Sequence, residues 1–486
     1  MWDKNMRSNK KFIEIILAVI AGLAITTGIG YEVGHSQGLA DLLSDTVAEE
    51  DQLSEEDLAL IESIYNQIQT SYINDVDKKE LLEGALKGMV EATGDPYSEF
   101  LDQDQTQDMN EDLSGSFSGI GVQITVQNNQ VVVMTPIADT PAEKAGLLPK
   151  DIILKADDKD LSGMTANEVV QIIRGKKGTS VHLKIQRDQQ TFEVDIKRDD
   201  IPIYTVEGDI AKSDKNVGIV KISQFNTTTA QELQDKVKEL RKAGAKQFVF
   251  DLRNNPGGLM DQALSISNMF LKDKDTIMQV QEANTENPTV YVANDKEYGN
   301  FKIKEPYVLL VNGGSASASE ILTAAIKENT DAKILGSKTF GKGTVQTVIP
   351  QGDYGELKLT IAKWLTPSGQ WIHEKGIEPS QEVKADPIQT SILLNGEDQL
   401  SLGRHSDSVA NLNVILNGMG YSANQKDEFD QDTEKAVKAF QKDHDLDQDG
   451  IVTGDTSAAI NLAAQEYLQD HDGQLDQAIK ILKEKN

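Results

Sequence analysis

The stretch Pro306 to Glu320, PYVLLVNGGSASASE, constrains the fold more than any other part of this chain. Tyr307 to Val311 is a short, wholly apolar run bounded by Gly313 and Gly314, the pattern of a strand buried on both faces. The serines and alanines that follow open a helix whose apolar positions include Ile321, Leu322 and Ile326. A strand-to-helix turn of this kind can present one hydroxyl, and Ser315, Ser317 and Ser319 compete for that role. Ser317-Ala-Ser-Glu320 is also, by itself, a helix-starting capping box. The stretch alone leaves a catalytic and a structural reading open.

A chain of 486 residues exceeds what one hydrophobic core organises, which predicts three or four domains. Hydrophobic residues make up 38%, enough for most of the chain to be globular. The 48 basic and 78 acidic residues give a net charge of -30, which argues against nucleic acid or an anionic membrane surface as a partner. A solvated acidic surface is the plain explanation. With no cysteine there is no disulfide frame, Cys nucleophile or thiolate metal site.

Lys4, Arg7, Lys10 and Lys11 precede an apolar run from Phe12 to about Tyr31, broken by Glu14, Thr26 and Thr27. The run is just long enough to span a bilayer. A cleaved signal peptide is the rival, but Gly28-Ile-Gly30 is a poor small-x-small cleavage site. The expectation is a retained single-pass anchor over residues 1–35, at the cell membrane, with the remainder extracytoplasmic by the positive-inside rule. Residues 36–112 read as helical: Leu58, Ile61, Ile64, Tyr65 and Ile68 recur at helical spacing behind Ser54 and Asp57, and a second helix spans Lys78 to Ala92. That helix ends in a turn, Thr93-Gly-Asp-Pro-Tyr-Ser98. Two such amphipathic helices either pack on the next domain or pair with a second copy in a homodimer.

From Ser116 the period changes to two, and short strands with two short helices fill residues 113–198. This block resembles a PDZ domain, with Ser118-Gly119-Ile120-Gly121 as its carboxylate loop and the helix around Asn167 to Ile173 as its groove wall. Loop amides can hold a C-terminal carboxylate while the peptide adds a strand beside Val122 to Thr125. A bulge or tight turn would explain the glycines alone, but not the order of all the elements. Arg174, next to the groove helix, either senses an occupied groove or is an ordinary surface charge, and the second is expected.

Strands and helices alternate over 199–385: Val217 to Ile222, a helix from Thr229 to Ala243, then a buried strand from Gln247 to Leu252. That strand runs into Arg253-Asn-Asn-Pro256-Gly257-Gly258, where the glycines let backbone N–H groups converge on an oxyanion or simply close a tight turn. Gly336-x4-Gly341-Lys342 is a near miss for a phosphate-binding loop and fails at Gly343, where a Ser or Thr is needed. Lys342 is then either a residue in a hairpin turn or an isolated base. Residues 386–486 form a separate helical module. Its Asp445-x-Asp447-x-Asp449-Gly450 copies half a calcium loop, but Thr456 stands where the bidentate Glu belongs, so a solvated acidic turn is expected and no metal.

Of the six histidines only His373 lies in the alternating region with the serines, and no Ser-His-Asp triad emerges. A lysine desolvated until its pKa falls is the alternative base, and Lys342 is the candidate. PYSEFL, SGIGV, the PDZ-like block, DLRNNPGG, NGGSASASE and FGKGTVQ, over roughly residues 50 to 380, resemble in content and order the carboxy-terminal processing peptidases. The resemblance implies a ClpP/crotonase-like α/β core, Ser317 as nucleophile, Lys342 as its base and Gln346 orienting the lysine. It also implies an oxyanion hole from backbone amides of Gly257, Gly258 and Ala318, no cofactor, and protein substrates taken by their C-termini. Ser380 departs from the family, which commonly has Asp there. The terminal block, LNVILNGMGY to GDTSAAI, resembles a three-helix peptidoglycan-binding domain, which implies peptidoglycan as a further partner. The expected architecture is a multidomain α+β chain: transmembrane helix, PDZ-like module, α/β peptidase core and small helical domain. Its expected activity is that of a serine endopeptidase in cell-envelope protein processing. The competing reading is a catalytically inactive, wall-associated scaffold.

Overall fold

The computed structural model describes residues 53–127, 129–283 and 285–484. The anchor expected at 1–35 lies outside them. Among the described residues no helix is long and apolar enough to cross a membrane. The chain divides into two units between Leu82 and Glu83. In the first, Glu55–Ser71 (α1) starts on the capping box formed by Ser54 and Asp57. It buries none of its residues and leaves Leu58, Ile61 and Ile64 exposed. Lys78–Glu91 (α2) crosses the dividing point.

The second unit begins its sheets with Glu99–Leu101 (β1), followed by Gln103–Ser114 (α3), a polar helix capped by Asp102 and closed by Gly115 in the left-handed conformation. Ser116–Gly119 (β2) then leads into the PDZ-like block. Its sheet is built from Val122–Gln127 (β3), Gln130–Pro136 (β4), Ile152–Ala156 (β5), Lys159–Asp160 (β6), Ser180–Arg187 (β7) and Gln190–Lys197 (β8), in the order β3-β4-β5-β7-β8 with β6 on β5. The alternation read in the sequence is the burial pattern. Val181, Leu183 and Ile185 point inward with Val131, Val133 and Ile153, and Ala166–Ile173 (α4) closes the core with Val169 and Ile173. Asp199–Pro202 (β9) pairs antiparallel with β2, so the module enters and leaves on one two-stranded ribbon.

The α/β core follows, with Val206–Ile210 (β10), Val217–Ile222 (β11), Thr229–Lys242 (α5), Gln247–Asp251 (β12), Met260–Phe270 (α6), Thr276–Glu282 (β13), Thr289–Val292 (β14), Tyr307–Val311 (β15), Ala318–Asn329 (α7), Lys333–Gly336 (β16), Thr344–Pro350 (β17), Glu356–Leu365 (β18) and Gln381–Glu382 (β19). Its main sheet has the order β10-β11-β12-β15-β16-β19, parallel except for β10. Strands buried on both faces need apolar residues at every position. Accordingly Phe248, Phe250, Leu309 and Val311 face one core with α5, α6 and α7, while Val249, Val308 and Leu310 face the other. A second, antiparallel sheet, β1-β18-β13-β14 with β17 on β18, carries strands with one wet face.

The C-terminal module holds Asp407–Gly418 (α8), Gln431–Asp443 (α9) and Gly454–Asp470 (α10) around Leu412, Leu416, Phe429, Val437 and Phe440. The three expected helices are present, but the last helix, Gly473–Glu484 (α11), leaves them. Its Ala478, Ile479 and Leu482 cover the second face of the main α/β sheet, against Val249, Val308 and Leu310. The segment 473–484 thus packs with the α/β core, whereas the sequence assigns it to the appended domain.

Candidate active site

The turn after β15 sorts the three serines. Ser315 is buried and its hydroxyl donates to the Leu252 carbonyl at 2.8 Å; Ser319 is buried and donates to the Asn255 carbonyl at 3.0 Å. Both are fasteners between this turn and the glycine-rich loop after β12. Ser317 has φ 52° and ψ -113°, a conformation that non-glycine residues rarely adopt, costing about 1–3 kcal/mol. It lines a cavity of about 450 Å³ together with Lys342, Gln346, Gly258, Met260 and Ile321.

Glu320 holds this elbow. It is fully buried, and one carboxylate oxygen accepts the N–H groups of Ser317 (3.0 Å) and Lys342 (2.8 Å). The other accepts the Thr339 hydroxyl (2.6 Å) and the Gly341 N–H (2.7 Å). Burial pushes the Glu320 carboxyl above its ordinary range, and these four donors oppose that push. The capping box is legible in the sequence; that Glu320 also ties the Ser317 turn to the Lys342 loop is not, because the two partners lie 21 and 22 residues away.

Lys342 sits in the loop leading into β17, not in a hairpin turn. Its carbonyl accepts the Trp364 indole N–H at 2.7 Å, and its Nζ lies 4.9 Å from the centre of the Tyr97 ring. Burial depresses the Lys342 pKa and nearby Lys358 adds to the effect, while Asp95 and Glu320 act in the opposite sense. The turn 93–98, part of which belongs to the PYSEFL motif, therefore delivers Tyr97 to the lysine. Its Ser98 hydroxyl donates to Asp95 (2.6 Å) and accepts the Thr360 N–H (3.0 Å). Gln346 donates its amide N–H to the hydroxyls of Thr344 (2.9 Å) and Thr360 (3.1 Å). Among the described residues no hydrogen bond joins the Lys342 amine to Ser317 or to Gln346. His373 is a support: its ring stacks on Trp371, and Nδ1 accepts the Gly343 N–H at 3.3 Å.

The glycine-rich loop presses on the Ser317 turn. A Cβ at Gly257, where φ is 103°, would come within 2.8 Å of the Ser317 Cβ, so glycine is required for the approach. The Gly257 N–H donates to Asn255 Oδ1 at 2.9 Å. The N–H groups of Gly258 and Ala318 have no acceptor among the described residues, and Ala318 opens a helix, where the dipole favours negative charge. Of the three expected oxyanion donors, Gly257 is engaged and the other two are available.

In the PDZ block, Gly119, Ile120 and Gly121 line a small groove of about 90 Å³ with Val170 and Ile173. Ser118 lies outside the lining and its hydroxyl donates to the Gly175 carbonyl at 2.8 Å, tying the loop to the end of α4. Arg174 is not an unattached surface charge: it pairs with Glu111 of α3 at 2.8 Å and stacks 4.8 Å over Phe117. Ser380, the departure from the family pattern, bonds the backbone of Ile334 through both its donor and acceptor capacity. Asp449 accepts from Gln441 Nε2 and the Ile451 N–H and so shapes its own turn.

Comparison with known proteins agrees with these features. Models of the peptidase family S41, of the activating protease CtpB N-terminal domain, of a PDZ domain and of a peptidoglycan binding domain match residues 216–383, 23–105, 118–197 and 405–460. The chain is 38% identical over 473 residues to the carboxy-terminal processing protease CtpA of Bacillus subtilis (strain 168), covering 97% of this chain and 98% of that protein. It is 36% identical over 484 residues to a CtpA-like serine protease of Staphylococcus haemolyticus, covering 99% and 95%. Among solved structures, the photosystem II D1 C-terminal processing protease matches at 27% identity and a TM-score of 0.39, over 68% of this chain and 94% of that one. The chain belongs to the S41 family of carboxy-terminal processing peptidases and is a serine-type endopeptidase that carries a PDZ domain and a C-terminal domain of the peptidoglycan-binding kind.

Proposed function

We propose that Ser317 is the nucleophile and Lys342 its general base. The observation that carries this reading is a strained, cavity-lining serine sharing one cavity with a lysine whose burial favours the neutral amine. On substrate binding Lys342 comes within hydrogen-bond reach of Ser317 and takes the hydroxyl proton as Oγ bonds the scissile carbonyl carbon. The N–H groups of Gly258 and Ala318 hold the oxyanion. Collapse breaks the C–N bond, and the leaving amine takes the proton back from the Lys342 ammonium. Water then attacks the acyl-enzyme, giving one proton to Lys342; collapse breaks the acyl C–Oγ bond, Ser317 Oγ takes that proton from the Lys342 ammonium, and the carboxylic acid product leaves and ionises in solution. Gln346, held by two threonine hydroxyls, orients the lysine from the cavity wall.

The PDZ groove takes the free C-terminus of a protein substrate. The carboxylate lies at the amides of Gly119 to Gly121, and the tail adds a strand to β3. Membrane anchoring through residues 12–31, an extracytoplasmic catalytic part, peptidoglycan binding by the C-terminal domain and a role in cell-envelope protein processing complete the proposal. Self-association through the apolar face of α1 accords with its exposed Leu58, Ile61 and Ile64.

One digestion tests the chemistry. The full chain and its Ser317→Ala variant are incubated with an unfolded protein bearing an apolar C-terminus; the wild type is expected to cleave it and the variant not. Equal cleavage by both, or none by either, would reject the assignment, the second outcome in favour of a peptide-binding scaffold.

A further inference from the structure

The loop that supplies Gly258 begins at Arg253, and the Arg253 guanidinium is held on the face of the sheet that α11 covers. Asp251 takes its Nε at 2.9 Å and its Nη2 at 2.6 Å. Asp472, from the segment between α10 and α11, takes Nη1 at 2.9 Å and Nη2 at 2.6 Å, and Gln474 Oε1 also accepts from Nη1 at 2.9 Å. All three charged side chains are largely buried. Asp472 also caps α11 by accepting the Leu475 N–H at 3.0 Å. Gln474 Nε2 donates to the Val383 carbonyl at 2.6 Å, so the chain leaving the C-terminal domain is fastened to the chain entering it.

From Arg253 the fastening continues residue by residue towards the cavity. The Asn254 N–H donates to Asn312 Oδ1 at 2.8 Å, at the root of the nucleophile turn. Asn255 donates to the Ile222 carbonyl at 2.8 Å and accepts the Gly257 N–H. Gly258 follows and lines the cavity with Ser317. We infer that Asp472, contributed from beyond the C-terminal domain, is a positioning residue for the peptidase, fixing through Arg253 the loop that carries an oxyanion amide. The bidentate geometry matters: a second planar carboxylate on the same guanidinium fixes its plane as well as its charge. The C-terminal domain is thus clamped at both ends, and its exit segment completes the support of the catalytic loop. This inference rests on the reading of Ser317 and Gly258 given above.

The test uses the full chain and a fluorogenic peptide with an apolar C-terminus. Asp472→Asn keeps the shape and the helix cap but places an amide N–H₂ or a weaker acceptor against the guanidinium. It should lower kcat about tenfold or more and leave KM within about twofold, the signature of lost transition-state alignment. Asp472→Glu, which shifts the carboxylate by one methylene, should give an intermediate kcat, and it carries the test alone if the Asn variant fails to fold. Ile479→Ala, on the apolar face of the same helix, should lower the unfolding temperature while the folded fraction keeps its kcat within about twofold. Wild-type kcat in the Asp472 variants overturns the inference, as does an equal kcat loss in Ile479→Ala, which would make α11 a purely structural brace. Ser317→Ala separates the two levels: if it still turns over, the reading of the site fails, and if it is inactive while Asp472→Asn is normal, the positioning role alone fails.

Discussion

The peptidase core holds its two neighbours by opposite means. The PDZ domain hangs on the β2–β9 ribbon and on polar contacts near solvent: Arg174 with Glu111, and the Thr227 hydroxyl with the Ser114 carbonyl. The C-terminal side is joined by buried aliphatic packing of α11 and by the Arg253 cluster under the glycine-rich loop. Exposed ion pairs contribute at most about 1 kcal/mol and exchange readily with water, whereas a buried large aliphatic side chain contributes several times that. One attachment is therefore the weaker of the two, and the other braces the glycine-rich loop from behind. Helix α3 stands on the weaker side: Glu111 meets Arg174 of the PDZ groove, while Met109, Asp112 and Leu113 line the cavity shared by Ser317 and Lys342.

The contrast places all the chemistry between the two attachments, and Lys342→Arg tests that first. Guanidinium cannot act as a base, so turnover should fall by about 10³-fold or more, with the fold and the peptide groove intact. Substantial hydrolysis by this variant would remove Lys342 from the mechanism and with it the meaning of a core held between two neighbours. Next in size is the loss of α11 packing. Leu482 is fully buried against the sheet, and Leu482→Ala should destabilise the peptidase by about 2–5 kcal/mol in denaturant unfolding. A change under about 1 kcal/mol would mean that the C-terminal attachment is as loose as the PDZ one.

A subtler probe acts inside the cavity. Lys358, paired with Glu99 at 3.6 Å, is the positive neighbour that helps to depress the Lys342 pKa. Lys358→Met removes the repulsion, so the Lys342 pKa rises and less of the amine is neutral at a given pH. The acid limb of the kcat profile should move to higher pH and turnover near neutrality should fall, while the high-pH plateau is retained. A limb that stays put would show that burial alone sets the base, and a limb that moves to lower pH would remove Lys358 as its repulsive neighbour.

Much of this was legible in the sequence, and the limits have physical causes. The run Tyr307 to Val311 announces itself because a strand buried on both faces has almost no polar positions, and Val217 to Ile222 does so with only Lys221 turned to solvent. The strands of the antiparallel sheet, β13, β14, β17 and β18, escaped notice: each mixes polar and apolar residues, and Thr344–Pro350 buries none of its side chains fully. Ser317, Lys342 and Gln346 were identified through family resemblance, and the structure brings them to one cavity. Glu320, Tyr97 and Asp472 were read as a cap, a turn residue and part of an appended domain. Each acts through partners far away in sequence, a kind of pairing that local patterns do not record.

The smallest expected effect belongs to the PDZ attachment. Arg174 is half-exposed, bonds Glu111 across a solvent-accessible cleft and stacks on Phe117. Arg174→Ala should lower stability by less than about 1 kcal/mol, against the larger loss for Leu482→Ala. Its more telling consequence concerns peptides, because the same side chain lines the groove beside Ile173 and reaches the helix that borders the catalytic cavity. Adding a free C-terminal peptide to wild type and variant should give a weaker response of turnover in the variant. If the response is unchanged, Arg174 is an ordinary surface charge and the PDZ domain reaches the cavity by another route. If stability instead falls by several kcal/mol, the ribbon is as rigid as the C-terminal clamp, and the division between a weaker and a stronger attachment is lost.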